Sequence, residues 1–252
     1  MHELEKTHDE LLQAIGAAHT TLKRKELTTF FPIKGRQAKG ELMVVGRAVN
    51  GWATSNCFFP ADAANPVERR RILDVAIRRS TATDNECPLQ WVYDRWGDKA
   101  KGRRSNLKYS QFWSVIRRVV SDLKLADVCR SDWPSTLIQS ELYKVAPCKR
   151  GNPSTRLIKT QKEICKKHLG EEIALWKPKR ILFLTGKDWC SSFLLAIGEV
   201  RERPTSTKLV QLCGSLTERE SRHTAEIVVA VHPQRRSPKQ VASEIVSCFS
   251  SS

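Results

Sequence analysis

The stretch Glu141–Trp189, ELYKVAPCKRGNPSTRLIKTQKEICKKHLGEEIALWKPKRILFLTGKDW, decides how the chain folds. Leu142, Tyr143 and Val145 suit a strand, and Pro147, Gly151, Asn152 and Pro153 break it. A helix can start at Ser154, because Leu157, Ile158, Gln161, Ile164, Cys165, His168, Leu169 and Ile173 recur at helical spacing until Pro178 stops them. Ile181–Leu184 is a short apolar run without alternation, as expected of a strand covered on both faces. Strand, crossover helix and strand of this length predict a parallel βαβ unit.

Two other stretches extend the pattern. Glu41–Gly46 reads as a strand entering a glycine turn, followed by Arg47-Ala-Val-Asn-Gly-Trp52. Glu226–Pro233 is a buried strand that delivers a His-Pro pair. Ligands of open α/β sheets sit at the carboxyl ends of strands, and all three segments place glycine or polar residues there. The expected fold is a three-layer α/β/α sandwich with a central, mostly parallel sheet.

At 252 residues the chain has length for one large domain with ample core. Forty-three Lys and Arg against 27 Asp and Glu give a net charge of +16. Charge of that size favours a polyanionic partner, most simply DNA. Eight scattered cysteines and no opening secretory signal predict reduced thiols and a cytoplasmic setting. No apolar run approaches membrane-spanning length.

Leu4, Leu11, Leu12, Ile15, Ala18 and Leu22 lie on one face of an N-terminal amphipathic helix, and Lys23-Arg24-Lys25 after it is read as solvated. Asn65-Pro66 is a cap and first-turn pair for a helix carrying Arg69-Arg70-Arg71 and Arg78-Arg79. Residues 80–108 resist assignment: Trp91, Tyr93 and Trp96 precede Lys99, Lys101, Arg103, Arg104 and Lys108. Aromatics followed by a basic run suit base stacking and backbone contact with DNA, or an ordinary aromatic minicore beside a loop. Ser110–Leu123 is a helix with Phe112, Val115, Ile116, Val119 and Val120 inward. Asp188–Ile197 is a helix closed by Gly198, strands are expected at Leu209–Leu212 and Ile227–Val231, and Ser237-Pro238 starts the last helix.

KVAPCKRGNP with Gln161 and Cys165 in the following helix, KPKRILFLTGKDW and VVAVHPQRRSP together resemble the uracil-DNA glycosylase superfamily. The resemblance covers about 41–55 and 139–245. It implies one glycosylase-like domain over 1–252, with an N-terminal helical extension (about 1–35) and an insertion (about 56–108). It also implies base flipping and hydrolysis of the bond between base and deoxyribose, by water and without a cofactor. In the family the His of the His-Pro motif sits by the base oxygen, which here is His232, and Arg235 and Arg236 stand where a loop wedges into the vacated stack. The base pocket expected from the resemblance comprises Gly46, Arg47, Ala48, Phe59, Glu141 and Tyr143. DNA contacts are expected from Lys144, Asn152, Ser154, Lys187, Arg103, Arg104, Arg235 and Arg236.

The departures from the family pattern carry the specificity argument. Related enzymes place Asp, Asn or Glu after the first-motif glycine; this chain has Arg47 and Ala48, neither a general base. Asn50 is the nearest residue able to hold a water through its amide oxygen. Glu141 stands where uracil-reading members carry Asn. A carboxylate repels the oxygen at position 4 of uracil but accepts from the exocyclic amine of cytosine. The substrate this implies is a modified cytosine, such as glucosylated 5-hydroxymethylcytosine in phage DNA. Alternatives at this stage are a uracil glycosylase with a shifted motif, a catalytically silent DNA-binding module, or a Glu141 that pairs with Lys144 or an arginine. The partner is duplex DNA with a flipped base, or single-stranded DNA; phage defence and repair are both compatible roles. Val145 stands where the first ligand of a family iron–sulfur pair should be, and no Cys precedes Cys57, so no cluster is expected. No metal site is expected either, since no Cys or His pair has zinc-ligand spacing.

Overall fold

The computed structural model describes residues 1–22, 25–49, 57–81, 83, 87–97, 100, 106–149, 151–205 and 207–250. In chain order the elements are α1 (His2–Ala17), α2 (His19–Leu22), β1 (Leu27–Thr29), β2 (Ile33–Lys34), β3 (Met43–Ala48) and β4 (Cys57–Phe58). Next come α3 (Pro60–Ala64), α4 (Pro66–Ser80), α5 (Gln90–Asp94), α6 (Gln111–Asp122), β5 (Ile138–Tyr143), β6 (Val145–Pro147) and α7 (Thr155–Trp176). The chain closes with β7 (Arg180–Phe183), α8 (Lys187–Ile197), β8 (Gly198–Arg203), β9 (Val210–Glu218), β10 (Thr224–Ala230) and α9 (Pro238–Ser250).

The protein is a mixed α/β protein whose seven-strand sheet, flanked by helices, runs β2-β5-β3-β7-β10-β9-β8. It is only partly parallel: β3 with β7 and β7 with β10 run parallel, while β2–β5, β10–β9 and β9–β8 are antiparallel. The long helix and the strand after it form where the sequence places them, but β5 and β7 are not neighbours, because β3 lies between them. The expected strand across 142–145 is in fact two strands. The backbone breaks at Lys144, and β6 joins a separate antiparallel sheet of order β4-β1-β6.

The chain falls into two compact units. The first comprises Met1–Pro32, Gly46–Thr81 and Ser140–Trp176. Here α1 buries Leu4, Leu11, Leu12 and Ile15 of the stripe read from the sequence against α3, α4 and α7, while Ala18 and Leu22, expected on the same helix, lie beyond its end and are half-buried. A Cβ at Gly16 would overlap the α3 backbone at Ala63 and Ala64, so this glycine permits the close approach of the two helices. Asn65 caps α4, its side-chain oxygen accepting from the N–H of Val67 at 2.9 Å. The small sheet brings Cys57 and Cys148 to a Cα separation of 5.7 Å and they form a disulfide, which corrects the expectation that every thiol is reduced.

The second unit comprises Ile33–Val45, Ala82–Gln139 and Lys177–Ser252. It holds most of the large sheet, and α6 packs on α9. Ser110 caps α6, and Trp113 turns inward with Val115, Ile116, Val119 and Val120, whereas Phe112 is only half-buried. Gly198 does end α8, and it also begins β8 beside β9, an edge strand with no apolar run to announce it. Among the described residues no helix is long and apolar enough to cross a membrane.

Candidate functional site

Parallel neighbours in register leave a sheet on the same side. Val45 pairs with Phe183 and Phe183 with Val229, so β3, β7 and β10 end at one sheet edge. Beyond these paired residues the sequence continues with Gly46-Arg47, still within β3, with Leu184-Thr185-Gly186 after β7 and with Val231-His232-Pro233 after β10, the three segments singled out in the sequence.

In the first unit, Glu141 on β5 is 5 % exposed and its carboxylate lies directly over Gly46 of β3. A Cβ at position 46 would overlap both carboxylate oxygens, so the glycine is required by the acidic side chain that occupies its face. Tyr143 points to the same face of β5 by strand alternation and is buried, which raises its phenol above the ordinary value. Arg47 and Ala48 are half-buried at the end of β3, and Phe59 is exposed at the start of α3.

Beneath this strand end lies a polar network that the sequence did not announce. Lys144 is fully buried, and its ammonium spends all three N–H donors: on Glu172 Oε1 at 2.6 Å, on the backbone oxygen of Glu141 at 2.6 Å and on Ser140 Oγ at 2.8 Å. It therefore cannot reach a phosphate, which corrects its expected DNA-binding role, nor does it offer a free amine for Schiff-base chemistry. Glu172 Oε1 also lies 2.9 Å from His168 Nδ1, His168 Nε2 lies 3.3 Å from His8 Nδ1, and His8 Nε2 lies 2.8 Å from Thr29 Oγ1. A carboxylate only accepts, so one arrangement satisfies the row with neutral rings: Thr29 donates to His8, His8 to His168, and His168 to Glu172. Burial lowers both imidazoles, His8 well below its ordinary value, in keeping with neutral rings. Burial alone would raise Glu172, but the Lys144 ammonium and the His168 hydrogen bond hold it below its ordinary value. On the same helix, the Gln161 amide pairs with both the N–H and the C=O of Val145, at 2.9 and 2.8 Å. The Cys165 thiol is pushed up to about 12 by burial, which makes it a packing residue rather than a nucleophile.

In the second unit, His232 is half-buried and its Nδ1 accepts from the backbone N–H of Gln234 at 3.3 Å. That contact puts the proton of a neutral ring on Nε2. Arg235 is exposed, with a left-handed φ of 61°. This turn is clamped by Gln111, whose side-chain oxygen accepts from the Arg235 N–H and whose amide donates to the Arg236 carbonyl at 3.1 Å. Sequence reasoning missed Gln111, since a polar residue opening a helix carries no signal of a partner more than a hundred residues away. Lys187 opens α8, and its ammonium pairs with Glu202 at 3.3 Å. Asn152 and Ser154 are exposed, and Ser154 Oγ accepts from the Leu157 N–H to cap α7. Asn50, Arg103 and Arg104 lie outside the described residues.

No protein-family model matches the chain, and no curated protein matches it. The sheet edge and the two clusters therefore carry the functional argument by themselves.

Proposed function

We propose that the protein is a monofunctional DNA glycosylase that removes a modified cytosine, of the kind that glucosylated 5-hydroxymethylcytosine represents, and leaves an abasic site. In this reading the fold is a divergent form of the three-layer sandwich of uracil-DNA glycosylases. What supports it is that β3, β7 and β10 are parallel neighbours in register, Val45 with Phe183 and Phe183 with Val229, each just ahead of one of the three motif segments in sequence.

Glu141 reads the base by accepting from its exocyclic amine, and the Gly46 face beneath keeps that carboxylate in place. The Nε2–H of His232 donates to the oxygen at position 2 as the bond between C1′ and N1 breaks and negative charge builds on the leaving base. Water adds its oxygen to C1′, and its released proton neutralises the departing base or passes to solvent. Asn50 is the residue assigned to hold that water. Arg235 and Arg236 enter the space the flipped nucleotide vacates.

The test is incubation with duplexes carrying uracil, cytosine, 5-hydroxymethylcytosine or its glucosylated form, followed by alkali to cut abasic sites. Cutting at an amino-bearing base, lost in Glu141→Gln and in His232→Ala with DNA affinity retained, is the expected result. Cutting at uracil alone overturns the role given to Glu141. Tight DNA binding with no cutting at any of the four overturns the enzymatic reading in favour of a silent binding module.

A further inference from the structure

A second basic feature lies on the outer face of α6, built wholly from the second unit. A half-open cleft of about 400 Å³ is lined there by Trp96, Lys108, Arg117, Arg118, Asp122 and Pro238, among others. Three cations face one carboxylate, an excess of two positive charges on a small concave surface.

The cleft is constructed rather than accidental. The Arg117 guanidinium stands 4.9 Å from the centre of the Trp96 ring and donates to the Val128 carbonyl at 3.0 Å, which fixes its plane. Its Nε–H is buried and has no hydrogen-bond partner among the described residues. The backbone of Lys108 is held by Ser114, whose hydroxyl donates to the Lys108 carbonyl at 3.0 Å. Pro238 begins α9, a helix of 13 residues capped by Ser237, so its amino end adds partial positive charge at the rim.

Gly97 and Asn106 are clamped together, the Asn106 side chain accepting from the Gly97 N–H at 2.9 Å and donating to its carbonyl at 2.7 Å. The eight residues between them in sequence, DKAKGRRS, carry four Lys or Arg against one Asp.

We infer that this cleft is a binding site for the phosphodiester backbone of a nucleic acid strand, with Lys108, Arg117 and Arg118 each meeting phosphate. A planar guanidinium held by a ring and a carbonyl presents its remaining N–H edge in fixed geometry, which suits phosphate oxygens. A free phosphate or mononucleotide offers the same chemistry at one point. The backbone fits better because Lys108, from the turn before α6, and Arg117 and Arg118, on α6, bring three separate cations to one cleft in a chain whose net charge of +16 favours a polyanion. The assignment does not depend on the base-excision reading, and it survives if the protein cuts nothing.

The test measures binding of the full chain to fluorescein-labelled single- and double-stranded oligonucleotides by anisotropy, between 50 and 200 mM salt. Each phosphate contact contributes about 0.9 to the log–log salt slope on duplex DNA and about 0.7 on a single strand. The double variant K108Q/R118Q removes exposed side chains only, and is expected to flatten the duplex slope by about 1.8 and the single-strand slope by about 1.4. Adding Arg117→Gln should flatten the duplex slope by roughly a further 0.9. Arg201→Gln, an exposed arginine paired with Glu199 on β8, is the charge control and should leave the slope unchanged. A K108Q/R118Q slope equal to that of the unmodified protein overturns the proposal. So does saturation of Trp96 fluorescence quenching by low-millimolar inorganic phosphate, lost in the same variant while oligonucleotide affinity stays intact; the cleft is then a small-anion site. Flattened slopes in a protein that excises no base keep the cleft and discard the glycosylase.

Discussion

Replacing Glu172 by Gln tests the buried network at its centre. The substitution keeps the shape of the side chain and removes one negative charge, leaving the Lys144 ammonium fully buried with two neutral acceptors, Ser140 Oγ and the Glu141 carbonyl. Breaking a buried ion pair from one side costs about 3–5 kcal/mol, because the surviving charge stays desolvated without its counterion. That is a large part of the roughly 5–15 kcal/mol by which domains are ordinarily stable. Lys144→Met alone should cost a comparable amount, since it strands the carboxylate. The double variant removes both charges and leaves only the Ser140 and Glu141 acceptors to be satisfied, a penalty of about 1–3 kcal/mol. The cycle should therefore show a coupling of about 2 kcal/mol or more, with the double variant more stable than the sum of the singles predicts. Urea unfolding at pH 7.5, followed by tryptophan fluorescence and circular dichroism, supplies the four free energies. A loss under about 1 kcal/mol for Glu172→Gln, or strict additivity, would refute the burial of this pair.

Two further outcomes follow from the same unit. His8 and His168 have folded pKa values below the 6.5 of the unfolded chain, so below pH 6.5 the unfolded state binds protons that the folded state refuses. Stability is then complete above that value and falls on acidification, by up to about 1.4 kcal/mol per pH unit for each ring; urea midpoints that match at pH 7.5 and 5.5 would contradict it. Gly46→Ala drives a methyl group into the Glu141 carboxylate and should cost about 1–3 kcal/mol as overpacking does. Adding Glu141→Ala should relieve that loss, and an alanine tolerated without change in the thermal midpoint shows that the carboxylate does not lie there.

What the sequence made legible follows from how each signal is encoded. The α1 stripe and the strands β3, β7 and β10 were readable because a segment buried on one helical face, or on both faces of a sheet, must be apolar at fixed positions. The short strands β1, β2 and β4 were not, since two or three residues hold no period. The run Leu142–Val145 looked like one strand because the residues around Lys144 are apolar, and nothing local says that the chain changes sheet there. Lys144 itself was misread for a related reason. A lysine shortly before a Gly-Asn-Pro turn has the composition of a phosphate contact, but its counterion comes from 28 residues later, at Glu172, which is itself held by His168 and, from the start of the chain, His8. His168 fell on the apolar face of its helix in the sequence, and that placement was the one available hint of burial. Of the candidate site, the adjacency of Glu141 and Gly46 could be anticipated from two strand ends; the Gln111 clamp could not, because it joins the first residue of a helix to a turn with which it shares no pattern.

The buried network makes physical sense as a device for ending a strand. Where β5 stops, the carbonyl of Glu141 and the hydroxyl of Ser140 need donors, and the chain turns away into another sheet at that residue, with the Lys144 carbonyl taken by the Phe30 N–H at 2.8 Å. An apolar side chain at 144 would leave those acceptors dry and unpaired. A lysine folded back on its own strand supplies both donors, but only if its charge is balanced, hence Glu172; and Glu172 needs a second donor to hold its orientation, hence His168 and then His8. Buried ion pairs are seldom the most stabilising way to fill a core, so the gain here is one of position rather than of net stability. Three hydrogen bonds from a side chain with no access to water fix the backbone at Glu141, and with it the angle at which that carboxylate meets Gly46. In the glycosylase reading proposed above, Glu141 would tell an amino group from a carbonyl oxygen by repulsion as much as by attraction, and repulsion discriminates only when the carboxylate cannot turn away.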